Sequence, residues 1–184
     1  MQGLTPPELA ERLGELAPVL AAAPEHALMG GAAVMTFGLR PRTRDIDFLV
    51  IASPTVREAI ERTATDRGWR VEVKAAWHLR LWRDRFYCDV ILGATQLERE
   101  AVANAEERLL GGLRVRTIGA EYLCALKLLA GRPQDLRDVG EIHDNWATLD
   151  VDKINELLRS FDLRWDVRPG EVVPTLVELA AAHE

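Results

Sequence analysis

The feature that most constrains the fold is a short apolar run introduced by two aspartates, DIDFLVI at residues 45–51. After Asp47 every position is apolar and the length is that of a strand, which predicts a central strand covered on both faces. Residues two apart on a strand point to the same face, so Asp45 and Asp47 project together, with Ile46 opposite. Carboxylates at the edge of a buried sheet are costly unless a partner satisfies them.

The spacing of these two acids suits a hard divalent cation. Their Cα atoms are expected about 6.6 Å apart, and carboxylates so placed can hold one Mg²⁺ or bridge two cations. The alternative is that both are loop residues, solvated or paired with Arg42 and Arg44. Asp89 favours the metal, because it lies in the middle of a second apolar strand pattern, RFYCDVIL. Its own alternative is an ion pair with Arg83 or Arg85.

A pair of glycines precedes the acids. Gly30 and Gly31 follow a short apolar stretch at residues 26–29 and precede a run of small residues, 32–37, that predicts a helix. Glycine lets the backbone approach a ligand closely, and a helix N-terminus favours anions, so phosphates are the natural ligand. The alternative is a tight turn with close helix packing.

The remaining pattern predicts a mixed sheet followed by helices. Thr5, Pro6 and Glu8 are typical of a helix start, and Pro24 is expected to end that helix. Further helices are predicted from Ser53 to about residue 68 and from Thr95 to Arg108. Strands are predicted at WRVEVK, HLRLWR, RFYCDVIL and LRVRTI, and helices at AEYLCALKLLA, PQDLRDVGEIHDNWA, VDKINELLRSF and residues 169–184. We therefore predict an α/β or α+β core over residues 1–118, with a helical segment, residues 119–184, packed on it.

Composition limits the classes of function. The chain has 184 residues, 48% of them apolar, and a net charge of −6, which disfavours broad nonspecific binding to nucleic acid. The two cysteines, Cys88 and Cys124, lie in apolar runs without metal-ligand spacing, so buried reduced thiols are expected. The first residues do not follow a signal-peptide pattern, and no apolar run is long enough to span a membrane. We therefore expect a cytoplasmic protein.

Together, the glycines and acids resemble the glycine-rich signature of the DNA polymerase β-type nucleotidyltransferase superfamily. In that signature a glycine pair after a first strand is followed by D-x-D on the next strand, and a later strand supplies a third carboxylate. The likeness is greatest to a small bacterial branch that includes the AbiEii-type abortive-infection toxins, with G-G-x-A and then G-x-x-R-x-T-x-D-x-D. The matching residues are Gly30, Gly31, Ala33, Gly38, Thr43, Asp45 and Asp47, with Arg42 one position after the place of the arginine, and Asp89 fits the third carboxylate.

The resemblance implies a nucleotidyltransferase-like mixed sheet flanked by helices, and metal-dependent transfer of a nucleoside monophosphate from a nucleoside triphosphate to a hydroxyl. Asp45, Asp47 and Asp89 would ligate Mg²⁺, for which Mn²⁺ can substitute, and Asp89 would also activate the attacking hydroxyl. Such a transfer depends mainly on positioning and charge neutralisation, so it needs no serine or cysteine nucleophile.

The resemblance also implies which residues bind the nucleotide. Gly30 and Gly31 would cradle the triphosphate, with Arg42 and Thr43 of the same signature close by. The charges of Arg40, Arg42 and Arg44 could instead balance the two acids that follow them, and both interpretations stay open.

The helical segment adds a second, weaker motif. In LKLLAGRPQDLRDV, the residues Lys127, Arg132, Asp135 and Asp138 match a K…R…D…D helix pair of the same branch. The resemblance implies that Lys127 neutralises phosphate charge and that Asp135 lies near the nucleotide. Lys127 is expected off the apolar stripe of its helix, where it can reach a cleft.

Three functions remain open. The first is an active nucleotidyltransferase acting on RNA, tRNA or protein, as the toxin of a toxin–antitoxin pair with a cognate antitoxin as partner. The second is a catalytically silent module that binds a nucleotide or a partner protein. The third is a small-molecule nucleotidyltransferase of the aminoglycoside-modifying kind, which an acidic chain suits because it attracts cationic compounds.

Overall fold

The computed structural model describes residues 3–160, which divide into two compact units with the boundary between Ile118 and Gly119. In chain order the first unit has α1 (Pro6–Leu20), β1 (His26–Met29), α2 (Gly30–Thr36), β2 (Ile46–Ile51), α3 (Pro54–Asp66), β3 (Arg70–Ala75), β4 (His78–Arg83), β5 (Phe86–Gly93), α4 (Gln96–Ala103), β6 (Glu106–Leu110) and β7 (Leu113–Thr117). The second unit has α5 (Ala120–Ala130), α6 (Pro133–Asn145) and α7 (Val151–Ser160).

The first helix begins as predicted. Thr5 and Glu8 form the reciprocal hydrogen bonds of a capping box, and Pro6 occupies the first turn. The predicted end at Pro24 was wrong, because the helix already ends at Leu20. A proline prevents continuation of a helix, but it does not determine how far upstream the last turn closes.

The first unit is built on one seven-stranded mixed sheet with the strand order β3-β4-β5-β2-β1-β7-β6. The strand that contains Asp47, β2, is the fourth of the seven and is therefore central, as its apolar sequence predicts. It pairs in parallel with β5 and antiparallel with β1. A mixed sheet with helices confirms the predicted α/β class.

The two faces of the central strands differ in chemistry. Ile46, Phe48 and Val50 of β2 belong to the main hydrophobic core, to which α1 and α3 also contribute their buried side chains. Side chains alternate along a strand, so Asp47 of β2 and Asp89 of β5 point to the opposite face. The core thereby fixes the strand pair that holds the acids.

The prediction of one helix over residues 95–108 was wrong in its second half. The helix α4 ends at Ala103, and β6 forms a hairpin with β7. The two hairpin residues, Gly111 and Gly112, have φ angles of +59° and +87°, as a two-residue turn with two left-handed positions requires. The glycine pair indicates a hairpin, but the residues of EERLL have high helix propensity and therefore favoured the helix prediction.

The second unit is helical throughout its described part. Its first three predicted helices are present as α5, α6 and α7, and the predicted helix over residues 169–184 lies outside the described residues. Gly131 ends α5 in a left-handed conformation, with φ of +61°. Pro133 then begins α6, so a short turn connects the two helices.

Both cysteines are free and buried, as expected from the apolar runs around them. Burial raises the pKa of the Cys88 thiol well above its usual value, and it raises the pKa of Cys124 to about 12. Neither thiol has the character of a nucleophile. No helix within residues 3–160 is long and apolar enough to cross a membrane.

Candidate active site

Asp47 and Asp89 occupy adjacent positions on the two central parallel strands. Asp47 is the register partner of Asp89, and on its other side it is the partner of Met29, the last residue of β1. Neighbouring strands are about 4.8 Å apart, so the two carboxylates leave the same face of the sheet side by side. Two like charges so placed favour a cation between them.

Asp45 lies directly before β2 and is half-buried. The hydroxyl of Tyr87 donates a hydrogen bond to Asp45 Oδ2 at 2.9 Å, and Thr43 Oγ1 lies 3.4 Å from Oδ1. Burial, together with the charge and hydrogen bond of Asp45, raises the pKa of Tyr87 to about 12. The phenol therefore stays protonated and acts as a fixed donor to this carboxylate.

The loop that leads to Asp45 is attached to the start of the chain. Leu4 and Thr43 form an isolated antiparallel bridge, and Arg42 Nη1 donates to the carbonyl oxygen of Gly3 at 2.9 Å. Arg42 is otherwise exposed, whereas Thr43 is buried. The bridge holds Thr43 in place beside Asp45.

Asp89 is paired with Arg80, not with Arg83 or Arg85. Arg80 Nε donates to Oδ1 at 2.7 Å and Arg80 Nη2 to Oδ2 at 2.8 Å. His78 Nε2 also lies 2.9 Å from Oδ1. The hydrogen bonds to Asp89 raise the pKa of Arg80 against the opposing effect of burial. Arg83 is bonded elsewhere, to Glu15 and to a main-chain carbonyl.

Sequence reasoning missed Arg80, His78 and Tyr87, although the signal for Arg80 was present. The strands β4 and β5 form a hairpin in which Arg83 pairs with Phe86, and the same register pairs Arg80 with Asp89. Counting outwards from the two-residue turn would therefore have found the partner of Asp89. The contacts of His78 and Tyr87 depend on side-chain conformations, which strand patterns do not specify.

The glycine pair is packed against the site. Gly30 has a φ of +65°, and a Cβ atom added there would overlap the carboxylate of Asp47. A Cβ atom added at Gly31 would overlap the hydroxyl of Thr43. Glycine is required at both positions because larger residues would displace site side chains. Gly30, Gly31, Thr43, Asp45, Asp47 and Asp89 therefore lie in one neighbourhood of the first unit.

Lys127 and Asp135 lie in the second unit, where they are bound to each other. Lys127 Nζ donates to Asp135 Oδ1 at 3.1 Å and to Asp138 Oδ2 at 2.6 Å, and the Lys127 side chain is only 8% exposed. The expectation that Lys127 faces a cleft was wrong, because α5 is buried on nearly all sides. Burial opposes ionisation of Asp135, but hydrogen bonds from Arg132 and the charge of Lys127 outweigh it and lower the pKa of Asp135.

The oxygen donors of the first unit suit a magnesium ion. Mg²⁺ prefers oxygen ligands and is commonly held by one or two carboxylates, with water and substrate phosphates completing its shell. Asp45 and Asp47 supply such a pair, with Asp89 beside them. Within residues 3–160, no three His, Cys, Asp or Glu side chains already converge on a metal position. The residues fit a cation shared with substrate phosphates, and the set of three ligands stays a prediction.

Comparison with known proteins gives a likeness of structure. The sequence matches no known family and no curated protein. The chain is similar to the antibiotic-resistance factor ANT(2'')-Ia, with 19% identity over 84% of this chain and 93% of that one, and a TM-score of 0.58. It is also similar to the lincosamide adenylyltransferase LnuA in its lincomycin-bound form, with 18% identity over 77% and 98% and a TM-score of 0.55.

A third solved structure shows the same likeness. An antigenic nucleotidyltransferase-like protein from Paracoccidioides brasiliensis has 16% identity over 86% of this chain and 88% of that one, with a TM-score of 0.54. All three proteins share the mixed sheet flanked by helices, and the low identities limit the likeness to the fold. The chain therefore has the nucleotidyltransferase fold.

Proposed function

We propose that this protein is a metal-dependent nucleotidyltransferase that moves a nucleoside monophosphate from a nucleoside triphosphate to a hydroxyl acceptor. The observation that carries the proposal is the placement of Asp47 beside Asp89 on the central parallel strands, with Asp45 two residues away and Gly30 against Asp47. Nucleotidyl transfer needs charge neutralisation at phosphate oxygens and an oriented acceptor, and these residues can supply both.

The carboxylates of Asp45 and Asp47 would hold a divalent cation at the charged end of the donor. When bound, Mg²⁺ would offset the negative charge on the triphosphate and on the leaving pyrophosphate. Tyr87 fixes the orientation of Asp45 by its hydrogen bond, and Gly30 leaves room for Asp47. Both side chains are then in place before the substrate arrives, which removes part of the reorganisation cost of the reaction.

Asp89 is the residue that we assign to the acceptor. A carboxylate has about four lone-pair directions. Among the described residues, Arg80 and His78 lie against Oδ1, and Arg80 occupies one direction of Oδ2. Asp89 Oδ2 thus keeps an open direction, in which it can accept a hydrogen bond from the acceptor hydroxyl and orient that oxygen toward the α-phosphate.

The proposed contacts with the nucleotide are those that the glycine-rich signature implies. Gly30 and Gly31 would allow the triphosphate close to the backbone, and the exposed Arg42 would contact phosphate oxygens once it leaves the Gly3 carbonyl. The roles of Lys127 and Asp135 in nucleotide binding remain predictions, since each already satisfies the charge of the other.

The test is a transfer assay with each of the four labelled nucleoside triphosphates, Mg²⁺, and either total RNA or a panel of hydroxyl-bearing antibiotics. Wild type should label an acceptor, and Asp47→Asn should lower kcat by more than about 100-fold, since loss of an outer partner of a metal ligand alone costs about 10–100-fold. The control is Asp66→Asn, an exposed helical aspartate of the same unit, with unchanged activity. Absence of transfer to every acceptor with every nucleotide would contradict the proposal.

A small-molecule acceptor is a second candidate within this activity. Two of the similar structures are an antibiotic-resistance factor and a lincosamide adenylyltransferase, and the net charge of −6 suits a cationic acceptor. Cells that express the chain should then tolerate higher concentrations of the modified compound. Growth arrest on expression would instead favour the toxin of a toxin–antitoxin pair, which the AbiEii-like signature supports.

A catalytically silent binding module is the remaining alternative. Titration of ATP with and without Mg²⁺ separates it from an enzyme, because a transferase of this kind should bind the nucleotide more tightly with the metal. Tight binding without metal, unaffected by Asp47→Asn, would favour the silent module.

A further inference from the structure

Two acids of the candidate site are connected through a continuous set of side-chain contacts. Asp45 accepts a hydrogen bond from Tyr87, and Asp89 accepts two hydrogen bonds from Arg80. The guanidinium carbon of Arg80 lies 4.0 Å from the centre of the Tyr87 ring, within the range of a cation–π contact. The order of contacts is therefore Asp45, Tyr87, Arg80, Asp89.

The contacts of Arg80 fix its guanidinium in one plane. Its Nε and Nη2 atoms meet both oxygens of Asp89, which is the bidentate arrangement that a planar fork makes with a carboxylate. The ring of Trp82 also lies near the guanidinium, with its centre 5.6 Å from the guanidinium carbon. A lysine would keep the positive charge but would lose the fork and the planar stacking.

The contacts of Tyr87 connect the guanidinium of Arg80 to the carboxylate of Asp45. Its ring lies against Arg80, and its hydroxyl donates to Oδ2 of Asp45, directly before the adjacent strand β2, at 2.9 Å. Tyr87 and Asp89 are two residues apart on β5, so they project from the same face. A rotation of the Arg80 guanidinium would therefore disturb both carboxylates, one directly and one through the tyrosine ring.

We infer that Arg80 and Tyr87 are positioning residues that set the relative orientation of the Asp45 and Asp89 carboxylates. The inference rests on the proposed function and deepens it, because it names the pair that prepares the site for the cation and the acceptor. Both residues act through the carboxylates that they contact. Their effect is to hold the two carboxylates at defined angles, which carboxylates without such partners would not maintain.

The test compares Arg80→Lys with a matched control, Arg83→Lys. Arg83 lies on the same strand and stacks on an aromatic ring, that of Trp69 at 4.5 Å, but it is bonded to Glu15 rather than to a site acid. We expect Arg80→Lys to lower kcat by about 10–100-fold with the KM for the nucleoside triphosphate within about threefold of wild type. Arg83→Lys should keep both values, although the two variants should lose similar thermal stability.

A second variant extends the test, and a binding measurement makes it independent of turnover. Tyr87→Phe keeps the ring under Arg80 and removes only the hydrogen bond to Asp45, so it should fold and lower kcat by about threefold to tenfold. Mn²⁺ binding to the nucleotide-free protein, followed by electron paramagnetic resonance, should weaken about tenfold in Arg80→Lys. In the double variant the two effects on kcat should not multiply, because both act on one contact set.

The outcomes separate this inference from the proposed function. Wild type that transfers nucleotide, with Arg80→Lys unchanged in kcat and in Mn²⁺ binding, overturns the positioning role alone. Equal losses in Arg80→Lys and Arg83→Lys also overturn it, because they would show an effect of stability only. Wild type that neither transfers nucleotide nor binds Mn²⁺ overturns the proposed function, and the positioning role with it.

Discussion

The protein holds two clusters of acids that solve the problem of like charge in different ways. In the first unit, Asp47 and Asp89 are neighbours on adjacent strands. In the second unit, Asp135 and Asp138 lie against the single ammonium group of Lys127 and are almost completely buried, with side chains 4% and 2% exposed. The first cluster places two acids side by side and pairs Asp89 with Arg80, whereas the second places both acids against one shared base, Lys127.

This difference shows how a structural cluster of ion pairs can be distinguished from a ligand-binding site. Buried charges persist when partners within the chain satisfy them, and such a cluster has little left to offer a ligand. In the first unit the acids Asp45 and Asp47 are only half-buried, so solvent and substrate can reach them. Burial therefore separates Asp45 and Asp47 from the second cluster, whereas Asp89, which is buried and paired with Arg80, shares features of both clusters.

The largest expected effect comes from Lys127→Met. Asp135 and Asp138 would keep their burial and lose their common cation, which should lower the free energy of unfolding by about 3–5 kcal/mol. Urea unfolding measures this loss. The control is Lys153→Met in α7, whose ammonium lies 5.0 Å from the Tyr122 ring centre, where the loss should stay below about 1 kcal/mol. A stable Lys127→Met protein with a raised KM for the nucleotide would break the comparison and make Lys127 a phosphate ligand.

Gly30→Ala should have an intermediate effect. Alanine at a φ of +65° is strained, and its Cβ would displace the Asp47 carboxylate, so we expect about 1–3 kcal/mol lower stability and at least about tenfold lower kcat. Gly14→Ala is the matched control, since nothing lies near its Cβ position within α1. That variant should gain about 0.5–1 kcal/mol by helix propensity. Normal activity in Gly30→Ala would show that the close contact with Asp47 is unimportant for the site.

The smallest effect concerns acid stability through Asp135. Its pKa is lowered in the folded protein, so its ionised form contributes stability above the unfolded value of about 3.9. That contribution is lost as the pH falls through the lower folded pKa. Asp135→Asn should therefore show a smaller decrease in stability than wild type between about pH 6 and about pH 3. Urea unfolding over this range measures the slope, and identical slopes would contradict the prediction.

The sequence predicted the strand positions of the site better than its side-chain partners. The apolar run after Asp47 was enough to place β2 at the centre of the sheet, because only a strand covered on both faces is apolar throughout. The partner of Asp89 was mistaken, because Arg85 and Arg83 are nearer to it in sequence than Arg80, which only the hairpin register selects. Local pattern thus determines elements, whereas register and rotamers determine contacts.

The helical segment shows the same limit. The sequence AEYLCALKLLA predicted α5 correctly, but the exposure of Lys127 was misjudged from a single apolar stripe. The helix is buried on more than one side, so a charged residue away from the stripe is still enclosed. The acids bound to Lys127, Asp135 and Asp138, belong to α6, so the sequence pattern of α5 could not predict them.

The parallel pairing of β2 with β5 has a consequence for folding during synthesis. Tyr87 and Asp45 are separated by 42 residues, so their contact requires closure of a long loop that includes α3 and the strands β3 and β4. Contacts of such high sequence separation form slowly compared with the hairpins beside them. During synthesis the ribosome must release β5 before any part of the acidic pair can assemble, so a nascent chain that ends before Phe86 carries the glycines and β2 without the completed site.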